Sequence, residues 1–346
     1  MIVVEHLTRR YGGFAAVDDV SFVCQPGRVT GFLGPNGAGK TTTMRIMVGL
    51  TPASHGTVTI GGHRYADIPN PGRHVGVLLD ASAQHGGRTG KEILTLGARA
   101  MGLPDARVDQ MLALVSLNSE EANRRLRNYS LGMKQRLGIA HALLGDPQVL
   151  ILDEPANGLD PAGIRWMRTL LKGYADRGGT VLLSSHLLNE VELIADEMIL
   201  IGRGKIVAQG DKASLLAAHG GNRAATTTVD SLDNDALVAA LTASGLMIAP
   251  PAHGPGLTVQ ASSADVGRVA AEHQIVLTHL SGVQGGLEDI FLELTAATQR
   301  EVPAGVGAPG YPPPGYPPPP PGHVPPQAPP PGAFPPPPAP NGGVRR

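Results

Sequence analysis

Residues 32–47 read FLGPNGAGKTTTMRIM and combine two kinds of local structure. A short apolar run leads into a glycine-rich turn, which is followed by a lysine, three threonines and a pattern typical of a helix. Residues 34–41, GPNGAGKT, match G-x-x-x-x-G-K-[ST] between a predicted strand and a predicted helix. Glycines let the backbone curl close to phosphate oxygens, so that several N–H groups can donate to them. The sequence therefore predicts a nucleoside triphosphate site.

The residues of this turn have distinct expected roles. Lys40 is expected to reach the β- and γ-phosphates, and the Thr41 hydroxyl to ligate Mg²⁺. The helix that begins near Lys40 adds the positive end of its dipole. The predicted nucleotide-binding residues here are Gly34, Pro35, Asn36, Gly37, Ala38, Gly39, Lys40, Thr41 and Thr42.

A second strand pattern, QVLILDEP, ends in two acids. Ligands of open α/β sheets collect beyond the carboxyl ends of the strands. Asp153 is therefore expected to hold Mg²⁺, usually through water. Glu154 is expected to act on the attacking water as a general base or a positioning group. The alternative is a purely structural role, in which both acids cap a helix before Pro155.

The composition excludes several classes of protein. The chain has 346 residues, a formal net charge of −1 and one cysteine. A net charge near zero does not indicate binding to nucleic acid. The basic residues 124–127 are interpreted as a solvated helix end. Cys24 is predicted to be a small buried hydrophobe rather than half of a disulfide. We expect neither a signal peptide nor a membrane-spanning segment.

The first 215 residues and the last 46 differ sharply in pattern. Residues 1–215 alternate β-branched runs with helical patterns, which predicts an α/β domain with a mostly parallel, buried sheet. Residues 301–346 are rich in Pro and Gly and cannot bury enough apolar surface to fold, which predicts a disordered tail. Its repeated PGYPPP could instead bind an SH3-like or WW-like partner.

Residues 220–297 predict a small α+β domain. The predicted order β-α-β-β-α-β is that of a ferredoxin-like unit. Gly245 is expected to end the first helix of this unit, and Ser263 to open the second. A final amphipathic helix is predicted to present one apolar stripe suited to docking on a neighbour, formed by Leu287, Ile290, Phe291 and Leu294.

The run YSLGMKQRLGIAHALL, residues 129–144, carries a second kind of motif. In isolation, Ser130 and Gly132 would be an N-cap and a permissive turn that open a helix. The run resembles the LSGGQ signature of ATP-binding-cassette (ABC) ATPases, with Leu131 and Met133 in place of a Gly and the Gln. The hydroxyl and the close backbone approach that the motif supplies are kept.

Two further motifs follow in the order of the same family. NGLDP resembles its D-loop, with Asp160, and LLSSHLLNEVE places His186 at a strand end, in the position of the switch histidine. The whole set resembles an ABC nucleotide-binding domain over about residues 2–215. Within that family an aromatic residue in the position of Tyr11 stacks on adenine, and packing in the core is the alternative role for this tyrosine.

One position departs from the family pattern. Asp80 follows the strand VGVLL where a glutamine is expected, and Gln84 lies four residues later. Asp80 could ligate Mg²⁺ but would add negative charge beside the phosphates. Either Asp80 takes over this role or Gln84 fills the place through a local insertion.

The resemblance implies a complex of several subunits. In this family the signature serine faces the γ-phosphate bound by another subunit, so a homodimer of the ATPase domain is expected to bind ATP and Mg²⁺. GGLEDIFLELTAA and LLDASAQHGGRTG look like drug-exporter ATPases of the daunorubicin-resistance type. These act with a separate ABC-2 permease at the cytoplasmic face of the cell membrane and export drugs, antibiotics or lipid-like amphiphiles. The segment after Asp80 lies where such permeases make contact.

Two other functions remain open at this point. A soluble ABC ATPase acting on DNA or ribosomes would need a coiled-coil insertion, zinc-binding cysteines or a second cassette, and none of these is present in the sequence. A nucleotide-binding regulator that hardly hydrolyses ATP is suggested by Asp80.

Overall fold

The computed structural model describes residues 1–220, 226–249 and 256–283, together with residues 287, 290 and 291. Met1–Arg300 is one compact unit. The second unit, Glu301–Arg346, lies outside the described residues, and so does the predicted proline-rich tail within it. The predicted boundaries at 1–215, 220–297 and 301–346 stay predictions.

Nine strands build the first 220 residues. In chain order they are β1 (Ile2–Tyr11), β2 (Phe14–Cys24), β3 (Val29–Leu33), β4 (His55–Ile60), β5 (Val75–Leu78), β6 (Val149–Leu152), β7 (Thr180–Ser185), β8 (Glu197–Gly202) and β9 (Lys205–Gly210). Strands β2, β1 and β4 form an antiparallel sheet in that order. The other six form a sheet of order β5-β6-β7-β3-β8-β9, parallel except for β9.

Eight helices accompany these strands. They are α1 (Lys40–Met47), α2 (Gly90–Ala100), α3 (Ala106–Leu114), α4 (Ser119–Asn123), α5 (Leu131–Leu143), α6 (Pro161–Asp176), α7 (Leu188–Glu192) and α8 (Lys212–Gly220). Two of their starts follow from local chemistry: Thr89 and Glu92 form a capping box on α2, and Asp160 caps α6 with Pro161 at its first position.

The six-stranded sheet lies at the centre of the core. Every residue of β3, β6 and β7 is buried, as their mostly apolar sequences predict for strands covered on both faces. Buried residues of these strands belong to two apolar clusters. Because β3, β6 and β7 run parallel, their carboxyl ends meet at one edge of the sheet, and the loops that follow them are brought together.

The C-terminal region contains a separate sheet. Strands β10 (Thr226–Ser231), β11 (Ile248–Ala249), β12 (Leu257–Gln260) and β13 (Leu277–Val283) form an antiparallel sheet of order β11-β12-β10-β13. Helices α9 (Asn234–Ala243) and α10 (Ser263–Glu272) complete the predicted element order. The ferredoxin-like assignment itself stays a prediction.

The predicted ends of these two helices are close to those observed. Gly245 follows α9 with a φ of +72°, a conformation that suits glycine after a helix. The N-cap of α10 is Ser262 rather than Ser263, because the Ser262 hydroxyl accepts from the N–H of Asp265. Ser263 is the first residue of α10, as predicted, and the residue before it supplies the cap.

The predicted apolar stripe near the C-terminus packs on the chain itself. Leu287, Ile290 and Phe291 are helical and buried in the same apolar cluster as Met198 and Leu200 of β8. The fourth predicted member, Leu294, lies outside the described residues.

No helix in the described ranges is both long enough and apolar enough to cross a membrane.

Candidate active site

The glycine-rich turn joins β3 to α1 at the carboxyl edge of the six-stranded sheet. Gly39 caps α1 with a φ of +111°, and a Cβ at this position would lie 2.5 Å from the Ala16 carbonyl oxygen. Only glycine tolerates both this backbone and this approach. The sequence of the turn is therefore constrained at Gly39 by the path of its backbone.

Lys40 is folded into the turn. It is 6% exposed, and its ammonium donates to the Gly34 carbonyl over 2.6 Å and lies 3.5 Å from Glu154 Oε1. Burial lowers the pKa of Lys40, although Glu154 and Asp153 act in the opposite direction. The cation is thus held inside the predicted phosphate cradle by a backbone carbonyl and by the nearby Glu154 carboxylate.

Asp153 connects two strands and the turn. Its carboxylate accepts from the Thr41 hydroxyl over 2.6 Å and from the Ser184 hydroxyl. Its N–H donates to the Leu78 carbonyl at the end of β5. Burial raises the pKa of Asp153, and the two hydroxyl groups oppose that shift. Asp153 is buried and hydrogen-bonded to two other segments, which argues against the alternative that it only caps a helix.

The oxygen atoms around Asp153 fit Mg²⁺. A threonine hydroxyl and a carboxylate oxygen lie side by side, and Mg²⁺ prefers oxygen ligands, of which protein commonly supplies one or two while water and phosphate supply the rest. The predicted ligands Thr41 and Asp153 are therefore compatible with this ion.

Glu154 lies between a lysine and a histidine. Its Oε2 is 2.9 Å from His186 Nδ1, and its Oε1 faces Lys40. His186 follows β7 directly and is partly exposed, so the histidine predicted from sequence does reach the second acid of the site. The backbone of Glu154 has a φ of +48°, a rarely populated region for a residue other than glycine.

The signature segment begins helix α5. The Ser130 hydroxyl is the N-cap, accepting from the N–H of Met133, and Ser130 is exposed. A Cβ on Gly132 would lie 2.7 Å from the Gly158 carbonyl, so Gly132 packs closely against the loop of the same chain that leads to Asp160. Asp160 of that loop caps α6 and lies 4.0 Å from Arg136.

Tyr11 ends strand β1 and pairs with Phe14 across the hairpin. Its ring is 42% exposed, with the Arg9 guanidinium 4.4 Å from the ring centre. The exposure argues against the alternative role in core packing. The hairpin continues to Ala16, whose carbonyl approaches Gly39 of the turn.

Neither candidate for the missing glutamine contacts a predicted site residue through a hydrogen bond in the described structure. The exposed Asp80 carboxylate accepts from the N–H of Ser82 over 2.7 Å and so closes a local turn. Gln84 is partly buried. Asp80 lies two residues beyond Leu78, which is bonded to Asp153.

Sequence reasoning missed two buried residues of the site. Ser184 bridges the two acids, since its hydroxyl donates to Asp153 and accepts from the N–H of Glu154 over 2.9 Å. Gln135, from α5, donates to the Glu154 carbonyl over 2.9 Å. The available clue was a polar residue at an otherwise apolar place, in TVLLSS for Ser184 and on the buried side of α5 for Gln135.

Known proteins are similar to this chain in sequence and in fold. A sequence profile described as "ABC transporter" matches residues 17–157, and one described as "Domain of unknown function (DUF8746)" matches residues 225–288. The bacitracin transport ATP-binding protein BcrA of Enterococcus faecalis is 34% identical over 85% of this chain and 96% of its own length. The linearmycin resistance ATP-binding protein LnrL of Bacillus subtilis (strain 168) is 31% identical over 87% of this chain and 100% of its own.

A solved structure gives the same result. It is described as an ATP-binding subunit of an ABC transporter, is 30% identical, has a TM-score of 0.59, and covers 64% of this chain and 93% of its own. The chain belongs to the ABC transporter family, as an ATP-binding subunit with ATPase activity. The predicted fold class, the P-loop α/β fold of ABC ATPases, and the predicted use of ATP and Mg²⁺ are thereby confirmed.

Proposed function

We propose that this ATPase closes as a head-to-tail homodimer on ATP and drives a separate membrane permease that exports an amphiphilic antibiotic or a similar compound. The observation that carries the proposal is the meeting of Lys40, Thr41, Asp153, Glu154 and His186 at one edge of the sheet. This edge supplies a cation, oxygen ligands for Mg²⁺ and a carboxylate next to the predicted phosphate cradle. Such a set suits phosphoryl transfer to water, where catalysis is mainly positioning and charge stabilisation.

Each side chain has a proposed task. Bound Mg²⁺ would neutralise negative charge on the phosphate oxygens. Lys40 would leave the Gly34 carbonyl for the β- and γ-phosphates, and Tyr11 would stack on adenine. Glu154 would orient the attacking water or take its proton. His186, within hydrogen-bond distance of Glu154, would hold that carboxylate and sense the γ-phosphate.

The signature segment supports the need for a second copy. Ser130 and Leu131 are exposed, and the Ser130 hydroxyl is bonded to its own helix rather than to the turn of residues 34–41. We propose that Ser130 and Gly132 contact the γ-phosphate bound by the other copy. Binding of the triphosphate would then close the dimer, and hydrolysis would remove the contact that holds it closed.

Asp80 and Gln84 are proposed as alternatives for one role near the metal. Asp80 is closer in sequence than Gln84 to Leu78, whose carbonyl accepts a hydrogen bond from the N–H of Asp153. To reach the metal, the Asp80 carboxylate would have to give up its hydrogen bond with the N–H of Ser82. A mutation Asp80→Asn, which removes the negative charge, would then change the Mg²⁺ dependence of hydrolysis. An effect from Gln84→Ala instead would favour Gln84.

The transported compound and the partner are inferred from relatives. BcrA is described as a bacitracin transport protein and LnrL as a linearmycin resistance protein. We therefore propose export of a compound of this chemical kind, with this subunit held peripherally at the cytoplasmic face of the membrane by its permease. The permease would contact the segment after Asp80, whose later part is tied by backbone bonds from Leu126 and Arg127 to Arg88 and Gly86. A proline-binding partner for residues 301–346 rests on the repeated PGYPPP alone.

The proposal is tested with Glu154→Gln, which keeps shape and removes the carboxylate. With ATP and Mg²⁺ the full-length variant should run as a dimer in light scattering, while its turnover falls by roughly 10²–10³-fold. The matched control is Glu120→Gln, because Glu120 is exposed and pairs only locally with Arg124. This control should behave like the wild type. A variant that stays monomeric at saturating ATP would contradict the proposed dimer.

A further inference from the structure

The backbone of Glu154 needs external support. Its φ of +48° is in the left-handed region, where an L-residue with a side chain is strained. Such a conformation persists only where the surrounding structure fixes it, and it occurs preferentially at functional sites. The next residue is Pro155, which has no N–H to contribute and further restricts the residue before it.

Two side chains from different elements hold this backbone. The N–H of Glu154 donates to Ser184 Oγ on β7, and its carbonyl accepts from Gln135 Nε2 on α5, each over 2.9 Å. These two groups belong to the two peptide units on either side of the Glu154 Cα. Holding both peptide planes fixes φ and ψ, and with them the direction in which the carboxylate leaves the chain.

The two supports differ in what else they touch. Ser184 also donates to Asp153, so its loss would disturb a proposed Mg²⁺ ligand. Gln135 is 4% exposed, and its described hydrogen bond goes to the main chain of Glu154. A buried amide aimed at a strained residue beside the reacting atoms has a clear physical role, because an unpaired carbonyl there would be costly.

We propose that Gln135 is a positioning residue for hydrolysis, which holds the Glu154 backbone so that its carboxylate stays between Lys40 and His186. This inference rests on the proposed role of Glu154. Gln135 lies on α5, the helix that Ser130 begins. One hydrogen bond therefore joins the helix that Ser130 caps to the acid of the same chain.

The experiment uses Gln135→Met in the full-length protein. Methionine has a similar length and volume but cannot donate, so only the hydrogen bond is lost. We expect kcat for ATP to fall about tenfold, while the Kd for ATP with Mg²⁺ changes less than about twofold. The matched control is Gln110→Met on α3, where Gln110 is exposed, and it should change neither value. An unchanged kcat in Gln135→Met would overturn the inference.

A double-mutant cycle separates positioning from a merely structural role. In a Glu154→Gln background, Gln135→Met should cause no further loss of single-turnover hydrolysis, because the carboxylate it positions is already gone. Equal losses in both backgrounds would overturn the inference. If Glu154→Gln alone leaves turnover unchanged, the proposed function fails as well, whereas a loss there with full activity in Gln135→Met defeats only the positioning role.

Poor folding would not hide the result. Gln135→Asn keeps an amide but is one methylene too short to reach the Glu154 carbonyl, so it should lower kcat in the same way. A folded Gln135→Asn with wild-type kcat would overturn the inference.

Discussion

The carboxyl edge of the six-stranded sheet and the C-terminal four-stranded sheet use buried polar residues in opposite ways. At the edge, Lys40, Asp153, Ser184 and Gln135 are buried and bonded to the turn or to the two acids. In the described part of the C-terminal sheet the buried polar residues are Thr227 and Ser231, whose hydroxyls bond to Ala261 and Asn234. The edge buries charge, whereas the C-terminal sheet buries only hydroxyl groups that close local structure.

The pKa directions show what this difference costs. Burial raises the pKa of Asp153 and lowers that of Lys40, so each group is pushed toward its neutral form. A region selected only for stability would avoid that penalty, since buried charges often stabilise less than apolar groups. Substitutions at the edge should therefore change activity more than stability, and substitutions in the C-terminal core should do the reverse.

The largest effect is expected in the C-terminal core. Leu237 of α9 is fully buried with Val229, Leu241, Val259 and Val266. Leu237→Ala should lower the free energy of unfolding of this region by about 2–5 kcal/mol, because it removes apolar burial and leaves a cavity. Hydrogen exchange should show lost protection across α9, α10 and the four strands, with an unchanged Kd for ATP.

The matched control is Leu232→Ala. Leu232 is 77% exposed, so the same chemical change should alter stability by less than about 0.5 kcal/mol. If Leu237→Ala weakened ATP binding as strongly as it weakens local protection, the separation between the two regions would be wrong.

Much of this division could be predicted from the sequence. Strands β3, β6 and β7 are short and mostly apolar, and the motifs that follow them predict which loops carry Lys40, Asp153 and His186. A run of this kind depends on local composition, which a single sequence contains.

The contacts between distant segments could not be predicted in the same way. Ser184 and Gln135 act on Glu154 across 30 and 19 positions of the chain, and nothing local to either residue identifies that partner. The N-cap of α10 is also hard to identify from the sequence, because Ser262 and Ser263 are adjacent and either can cap a helix. Only the backbone conformation of each residue decides between them.

A medium effect is expected where the signature segment departs from the family pattern. Gly158 has a φ of +77°, and a Cβ there would lie 2.4 Å from Leu131 Cγ. Gly158→Ala should therefore cost about 2–3 kcal/mol of stability and lower turnover, through both backbone strain and a clash with Leu131. Adding Leu131→Gly should restore the part of the stability that Gly158→Ala loses through the clash.

The control for this pair is Gly178→Ala. Gly178 has a φ of +92° with open space where a Cβ would lie, so this variant should show the backbone penalty alone, about 1 kcal/mol. Equal losses in Gly158→Ala and Gly178→Ala would mean that Leu131 and Gly158 are not matched in size.

The smallest effect tests burial of a titratable group outside both regions. Cys24 of β2 is fully buried, and burial raises the pKa of its thiol to about 12. The folded state then keeps a proton that the unfolded chain loses near its usual pKa of about 8.5. The stability contributed by this group is complete below the unfolded pKa and is lost as pH rises toward the folded value.

Between pH 8 and pH 10 the free energy of unfolding should fall by about 1–2 kcal/mol more in the wild type than in Cys24→Val, measured by urea denaturation at each pH. Parallel pH profiles would show that Cys24 is reached by solvent, and that burial alone does not shift a pKa here as it does for Asp153.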